Sequence, residues 1–202
     1  MQKSNIYVGA HPDDIELGCG GSLAHFAKKK YFNICVVLSD GEKGGDPKLR
    51  VKETERALKF LGASKIFFGK FKDTEITHGH EVILFLEKIA EKYKPEFAFI
   101  PSLNEIHQDH RNTALACYPA FRKIPKILCY EAPTTTQFFA PTYYIRTEKY
   151  FEKKRASINF HETQKLRSYT QYEAMLNLAS YRGSQVGVPM AEAFEVFRYL
   201  EV

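Results

Sequence analysis

Three features of the sequence predict an α/β fold. Short apolar runs rich in β-branched residues alternate with segments of helical periodicity. One run, NICVVLSD at 33–40, is apolar almost throughout, as expected of a parallel strand covered on both faces. Gly, Asp and Pro mark the joins. This βαβα rhythm implies parallel strands joined by right-handed crossovers. The expected architecture is a Rossmann-like three-layer sandwich with a mostly parallel sheet and a helical C-terminal extension. The 202 residues suit one domain, with a core over 1–131 and the extension over 132–202. Ligands in such folds bind beyond the carboxyl ends of the strands.

NIYVGA (5–10) reads as the first strand, and 20–31 as a helix with Leu23, Phe26 and Ala27 on one face. The second strand (33–40) runs into the polar, Gly-rich loop GEKGGDPK. A helix over 49–61 ends at Gly62, a natural C-cap. KIFFGK is the third strand. Thr77 is expected to cap a helix running through Tyr93, with Val82, Leu86 and Ile89 on its apolar face. FAFIPS (97–102) is the fourth strand, followed by the loop LNEIHQDH and a helix from about 111. KILCYE (126–131) is the fifth. The Pro- and Thr-rich APTTTQFFAPTYY then reads as a pocket wall or as the subunit contact of a homo-oligomer. EKYFEKKRASINF and TQKLRSYTQYEAMLNLASY read as mostly helical.

Composition excludes several classes. The net charge is +5, but the basic residues are scattered and none form a block interleaved with aromatics and glycines, so no nucleic-acid partner is expected. The four cysteines, at 19, 35, 117 and 129, include no C-x-x-C pair and read as free thiols of a reducing compartment. The N-terminal residues carry no apolar signal core, and no run approaches the ~20 apolar residues that span a bilayer. The expected location is cytoplasmic.

The stretch AHPDDIELGCGG (10–21) carries two competing signals. Its second half resembles the glycine loop of methyltransferases that use S-adenosylmethionine. Asp40, at the end of the next strand, even has about the 20-residue spacing of a ribose-binding acid. That reading requires a buried strand leading into Gly18, and Pro12 with two adjacent carboxylates is poor material for one. In the first half, His11, Asp13 and Asp14 fall just past the end of the first strand. Neighbouring turn residues point in different directions, so one carboxylate can ligate a metal while the other faces solvent. His107, Asp109 and His110 fall just past the fourth strand, and the two loops can meet above the sheet.

Taken together, AHPDD, GCGG and HQDH resemble the LmbE-like/PIG-L (GlcNAc-PI) de-N-acetylases. SDGEKG (39–44), RVKETERALKFLG (50–62) and RGSQVGVPMAEAFEVFR (182–198) support the likeness, which covers nearly the whole chain. The resemblance implies a metal-dependent amidohydrolase acting on a small N-acetylated sugar conjugate. It implies a divalent metal, usually Zn2+, held by His11, Asp14 and His110, a ligand set with an open position. It implies Asp13 as general base, and His107 as the group that stabilises the oxyanion or protonates the leaving amine. Asp109 would hold His107 in one tautomer, and Arg50 would bind an anionic part of the substrate. The family usually has Pro where Gln108 stands, and some members have Tyr at the position of Glu105.

Weaker signals remain. His78, His80 and Glu81 at a helix start read as exposed polar residues. His161 reads as a turn or pocket-rim residue, His25 as a helix-surface or core-edge residue, and Glu192 equally as a residue approaching the pocket or as a helix-packing or interface residue. No Gly-x-Ser-x-Gly elbow supports a serine hydrolase. The rivals to an N-deacetylase are a methyltransferase using ELGCGG and a non-catalytic carbohydrate-binding protein that kept the sheet without the reaction.

Overall fold

A computed structural model describes residues 2–201. Five parallel strands, β1 (Ser4–Gly9), β2 (Phe32–Ser39), β3 (Lys65–Phe71), β4 (Phe97–Pro101) and β5 (Lys126–Tyr130), alternate with helices α1 (Asp14–Lys28), α2 (Pro47–Leu61), α3 (His80–Tyr93) and α4 (Gln108–Ala120). The extension adds β6 (Tyr143–Arg146), α5 (Phe151–Ile158), two single 3-10 turns, α6 (Tyr172–Ser184) and β7 (Ala191–Tyr199). The sheet order is β3-β2-β1-β4-β5-β7-β6, with β7 antiparallel to both β5 and β6.

The period of two in the strands builds both layers. Ile6, Val8, Ile34, Val36, Ala98 and Ile100 face α3 and α4. Tyr7, Cys35, Val37, Phe97, Phe99 and Leu128 face α1 and α2. β1 lies between β2 and β4, so the chain reverses its direction of travel across the sheet at the β1–β4 pair. A crevice opens beyond the carboxyl ends of strands at such a switch point. The loops carrying His11 and His107 leave β1 and β4 at that place.

Several element starts differ from expectation. α1 begins at Asp14, not near residue 20, because Asp13 turns the chain straight into a helix. α4 begins at Gln108 because the His107 ring accepts the Asp109 amide and caps it. α3 begins at His80, and the Thr77 hydroxyl bonds only the local Gly79 amide. The extension is not purely helical: AEAFEVFRY, a good helix former by composition, is drawn into strand β7 by pairing with β5.

The glycines at 18–21 lie inside α1, not in a cofactor loop. The helix breaks at Cys19 (φ −145°, ψ 24°). A Cβ on Gly18 would lie 2.2 Å from the Tyr130 ring, so only glycine lets the helix meet that side chain. Beyond the break, Glu192 of β7 caps the second half, accepting the Gly21 amide (2.9 Å), the Ser22 amide (2.7 Å) and the Ser22 hydroxyl (2.6 Å). Lys154 closes the pair at 2.6 Å. Glu192→Ala would strand these donors and a nearly buried ammonium. Thermal unfolding should show a loss of about 3 kcal/mol, with Glu192→Gln losing less.

Candidate active site

β1 ends at Gly9, and four residues later Asp13 adopts φ 94°, ψ −20°, a left-handed conformation that costs a non-glycine residue about 1–3 kcal/mol. This turn sends His11, Asp13 and Asp14 in different directions above the β1–β4 crevice. Asp14 is anchored by accepting the His11 amide at 2.8 Å. Across the crevice, the first turn of α4 delivers Asp109 and His110.

Three donor atoms converge. His11 Nδ1 and His110 Nε2 are 3.3 Å apart, His110 Nε2 is 3.3 Å from Asp14 Oδ1, and His11 Nδ1 is 3.7 Å from Asp14 Oδ2. The edge of a tetrahedron with metal–ligand bonds of about 2.0–2.1 Å is about 3.3–3.4 Å. All three residues are buried.

The far nitrogens decide the tautomers. His11 Nε2 lies 3.1 Å from both Asp73 Oδ1 and Asp109 Oδ2, so it carries a proton and Nδ1 presents a lone pair. His110 Nδ1 lies 3.2 Å from Glu105 Oε2, so Nε2 presents a lone pair. When both rings are neutral, two lone pairs and a carboxylate oxygen thus face one point. That donor set fits a divalent cation, and each imidazole has the carboxylate partner that metal-bound histidines usually have. His107 is not a fourth ligand: its Nδ1 accepts the Asp109 amide at 3.2 Å, leaving the proton on Nε2.

The charges of these groups depend strongly on one another. Burial opposes charge on both imidazoles, but Asp109, Asp14 and Asp73 hold His11 well above the usual histidine value. Asp14 and Glu105 bring His110 up to about 9. Burial would raise Asp14, but His110 and His11 keep it well below the carboxylate range. Asp13 is pushed up to about 7 by burial and by Asp14, against the opposing pull of His161 and Arg50. Its Oδ2 is buried and has no partner. His107 is lowered by burial and then by His11 and His110.

Two expected roles change. The Asp109 carboxylate does not touch His107; it faces His11 and accepts the Thr74 amide at 2.7 Å, and it is the Asp109 backbone that fixes the His107 tautomer. The cause is the early start of α4, which points the side chain of its second residue back toward β1. Arg50 lines the cavity, but its Nη1 and Nη2 donate to Gly41 O and Pro12 O, both at 2.8 Å. It is buried, fixes these two loops and lies 3.8 Å from Asp13, so it braces the site as well as lining the cavity, and each terminal nitrogen keeps a second N–H.

Other residues fall into place. Asp73, which the sequence motifs did not single out, lies past β3 as His11 lies past β1, so the same rule of chemistry beyond a parallel strand would have found it. Gln108 donates to Thr74 O at 2.6 Å and, with Asp109, clamps the loop that carries Asp73. Glu105 is buried beneath His110. His161 is buried against Glu16 at 2.9 Å, not at a rim. Exposed His78 bonds Asn112, and among the described residues the two clusters of potential metal ligands are His11, His107 and His110, and His11, Asp73 and Asp109, with neither His78 nor His80 in them. Glu105→Gln should weaken metal affinity about 10–100-fold while the fold is retained, measured by competition with a chromophoric chelator.

A cavity of about 310 Å³ lies over the donors, bounded by His107, Asp13, Tyr169 and Thr134 among others. Among the described residues no helix is long and apolar enough to cross a membrane.

Comparison with known proteins identifies the family. The family model "PIG-L: GlcNAc-PI de-N-acetylase" matches residues 6–121, more than half of the chain. The Escherichia coli K12 protein described as uncharacterized deacetylase YaiS is 36% identical over 170 residues, covering 80% of this chain and 92% of that one. The structure of the N,N'-diacetylchitobiose deacetylase from Pyrococcus horikoshii, with its inhibitor, superposes with a TM-score of 0.84 at 27% identity, covering 96% of this chain and 84% of that one. The 4-oxalmesaconate hydratase of Pseudomonas putida KT2440 is 32% identical over 124 residues, covering 54% of this chain and 48% of that one. With two chemistries among its relatives but one matched family model spanning β1–β4 and both histidine loops, the chain belongs to the PIG-L, or GlcNAc-PI de-N-acetylase, family.

Proposed function

We propose that the protein is a zinc-dependent N-deacetylase that hydrolyses the acetamide of an N-acetylglucosamine-type conjugate. The observation that carries this reading is the convergence of His11 Nδ1, Asp14 Oδ1 and His110 Nε2 beside an unpartnered buried carboxylate oxygen of Asp13. When bound there, a divalent cation supplies Lewis-acid chemistry, making water more acidic and an amide carbonyl more electrophilic. The side chains do the rest. Asp13 Oδ2 takes the proton from the attacking water and returns it to the leaving amine. His107 Nε2–H donates to the amide oxygen as negative charge develops there. Asp73, Asp109 and Glu105 hold the two ligand imidazoles in register. The deacetylases among the relatives, one of them named for an N-acetylated sugar, support the substrate class.

The test is acetate release from a panel of N-acetylglucosamine conjugates by protein of measured metal content. Activity should disappear on chelation and return with zinc. Metal-loaded protein that releases no acetate from any conjugate would overturn the reading. The hydratase relative favours one rival: the same water activation used for addition to a carbon–carbon double bond. Loss of enoate absorbance with an unsaturated oxo-acid, without acetate release from the sugars, would favour that rival.

A further inference from the structure

A second cavity, of about 250 Å³, adjoins the first. Leu17, Pro133 and Tyr169 line both, so the two share a wall. Leu17 comes four residues after Asp13, which places it one helical turn, about 5.4 Å, beyond the two carboxylates on the same side of α1. From that point the walls become apolar: Phe151 of α5, Met175, Leu178 and Ala179 of α6, and Ala191 and Ala193 of β7.

The gap is built, not a packing defect. α6 is fastened at two points. Near its start Met175 packs with Phe151 and Ile158. Near its end Arg182 makes a forked bond to Glu131, at 2.6 and 2.9 Å. Between these fastenings Leu178 and Ala179 face the cavity. Protein interiors rarely leave voids much larger than a water, and a dry apolar cavity of about 150 Å³ already binds benzene. The charged residues that border the space are paired with one another, Arg182 with Glu131 and Lys154 with Glu192 at 2.6 Å. The wall therefore offers a ligand an apolar surface without net charge.

We propose that this cavity is a substrate subsite for an uncharged apolar substituent joined through the substrate to the scissile amide, so that the preferred substrate is an amphipathic conjugate. This rests on the deacylase reading and deepens it. Two positions on the substrate supply the same chemistry: an acyl chain longer than acetyl, or an alkyl or aryl aglycone.

The experiment uses metal-loaded protein and two substrate series. One is N-acyl glucosamine from acetyl to octanoyl, and the other is N-acetylglucosaminides of methyl to octyl alcohol. In one series kcat/KM should rise by up to about fourfold per methylene and then level off once the cavity is filled. The series that rises identifies the source. Ala179→Trp, which fills the cavity, should flatten that slope. Met175→Ala, which enlarges it, should move the plateau to longer chains. Calorimetry in an Asp13→Asn background, which removes turnover, compares the methyl and hexyl glycosides and the acetyl and hexanoyl amides. The longer member of one pair should bind more tightly, and adding Ala179→Trp should abolish the difference. Hydrolysis of short members with flat slopes and equal binding overturns the subsite and leaves the deacylase standing. Length-dependent binding with no hydrolysis in either series keeps the subsite and removes the deacylase.

Discussion

Asp13→Asn should leave one metal bound and lower kcat about 10²–10⁴-fold, with a smaller change in KM. The size comes from the chemistry open to the residue. Asn keeps the shape of Asp and is among the few side chains that tolerate the left-handed backbone at φ 94°. It cannot accept a proton at neutral pH. Asp13 is not among the three converging donors, so metal content, read by elemental analysis, should match wild type. A second readout separates chemistry from damage. Burial and Asp14 raise the Asp13 pKa to about 7, so the fold favours the protonated form. The destabilisation from its charge grows as pH rises from about 4 to about 7 and is then fully present. Metal-free Asp13→Asn should therefore be at least as stable as metal-free wild type at pH 8. Unchanged kcat would remove Asp13 from the base role, and loss of metal would make it a ligand.

How much of this was legible in the sequence depends on how local each determinant is. β1, β2, β4 and β5 could be read because strands covered on both faces carry nearly continuous apolar runs, and the half-buried edge strand β3 because of its Ile66-Phe67-Phe68 core. The two His/Asp clusters could be read because a parallel sheet exposes the residues just past its strand ends, and the HPDD and HQDH loops leave two strands that turn out to be neighbours; the choice of His11, Asp14 and His110 among them came from the family resemblance. The features that escaped are non-local. β7 is rich in Ala and Glu, which favour helix, and only pairing with β5 makes it a strand. The cap that Glu192 makes was not read, because nothing near it in sequence reveals the broken helix, 170 positions away. The direction of Asp109 depended on where α4 starts, and that depended on the imidazole cap of His107. The bracing role of Arg50 escaped because the carbonyls of Pro12 and Gly41 are invisible as acceptors in a one-letter string.

His110→Ala should lose the metal and with it at least about a thousandfold in activity, since a Lewis acid contributes several kcal/mol at about 1.36 kcal/mol per tenfold. Two donors, His11 and Asp14, would remain where three converge. A pH series separates loss of a ligand from loss of the fold. In metal-free wild type the neighbouring Asp14 and Glu105 raise His110 to about 9 against burial. Because the folded value lies above the unfolded one, the stability given by the protonated ring is fully present below about 6.5 and is lost as pH rises through about 9. His11, raised by Asp109, Asp14 and Asp73 against burial, changes stability in the same direction. Metal-free wild type should thus melt at lower temperature as pH is raised across this window. His110→Ala should show a smaller decline, with only His11 contributing. Zinc-loaded wild type should show little decline, because a ligating nitrogen has no proton to lose. Zinc and protons compete for the same lone pairs, so zinc affinity should rise with pH and flatten above about 9, and binding near pH 7 should release protons into a weakly buffered solution. A His110→Ala protein that keeps stoichiometric zinc, or a wild type whose zinc affinity ignores pH, would mean that the ion sits elsewhere and that the convergence of these three side chains serves only the fold.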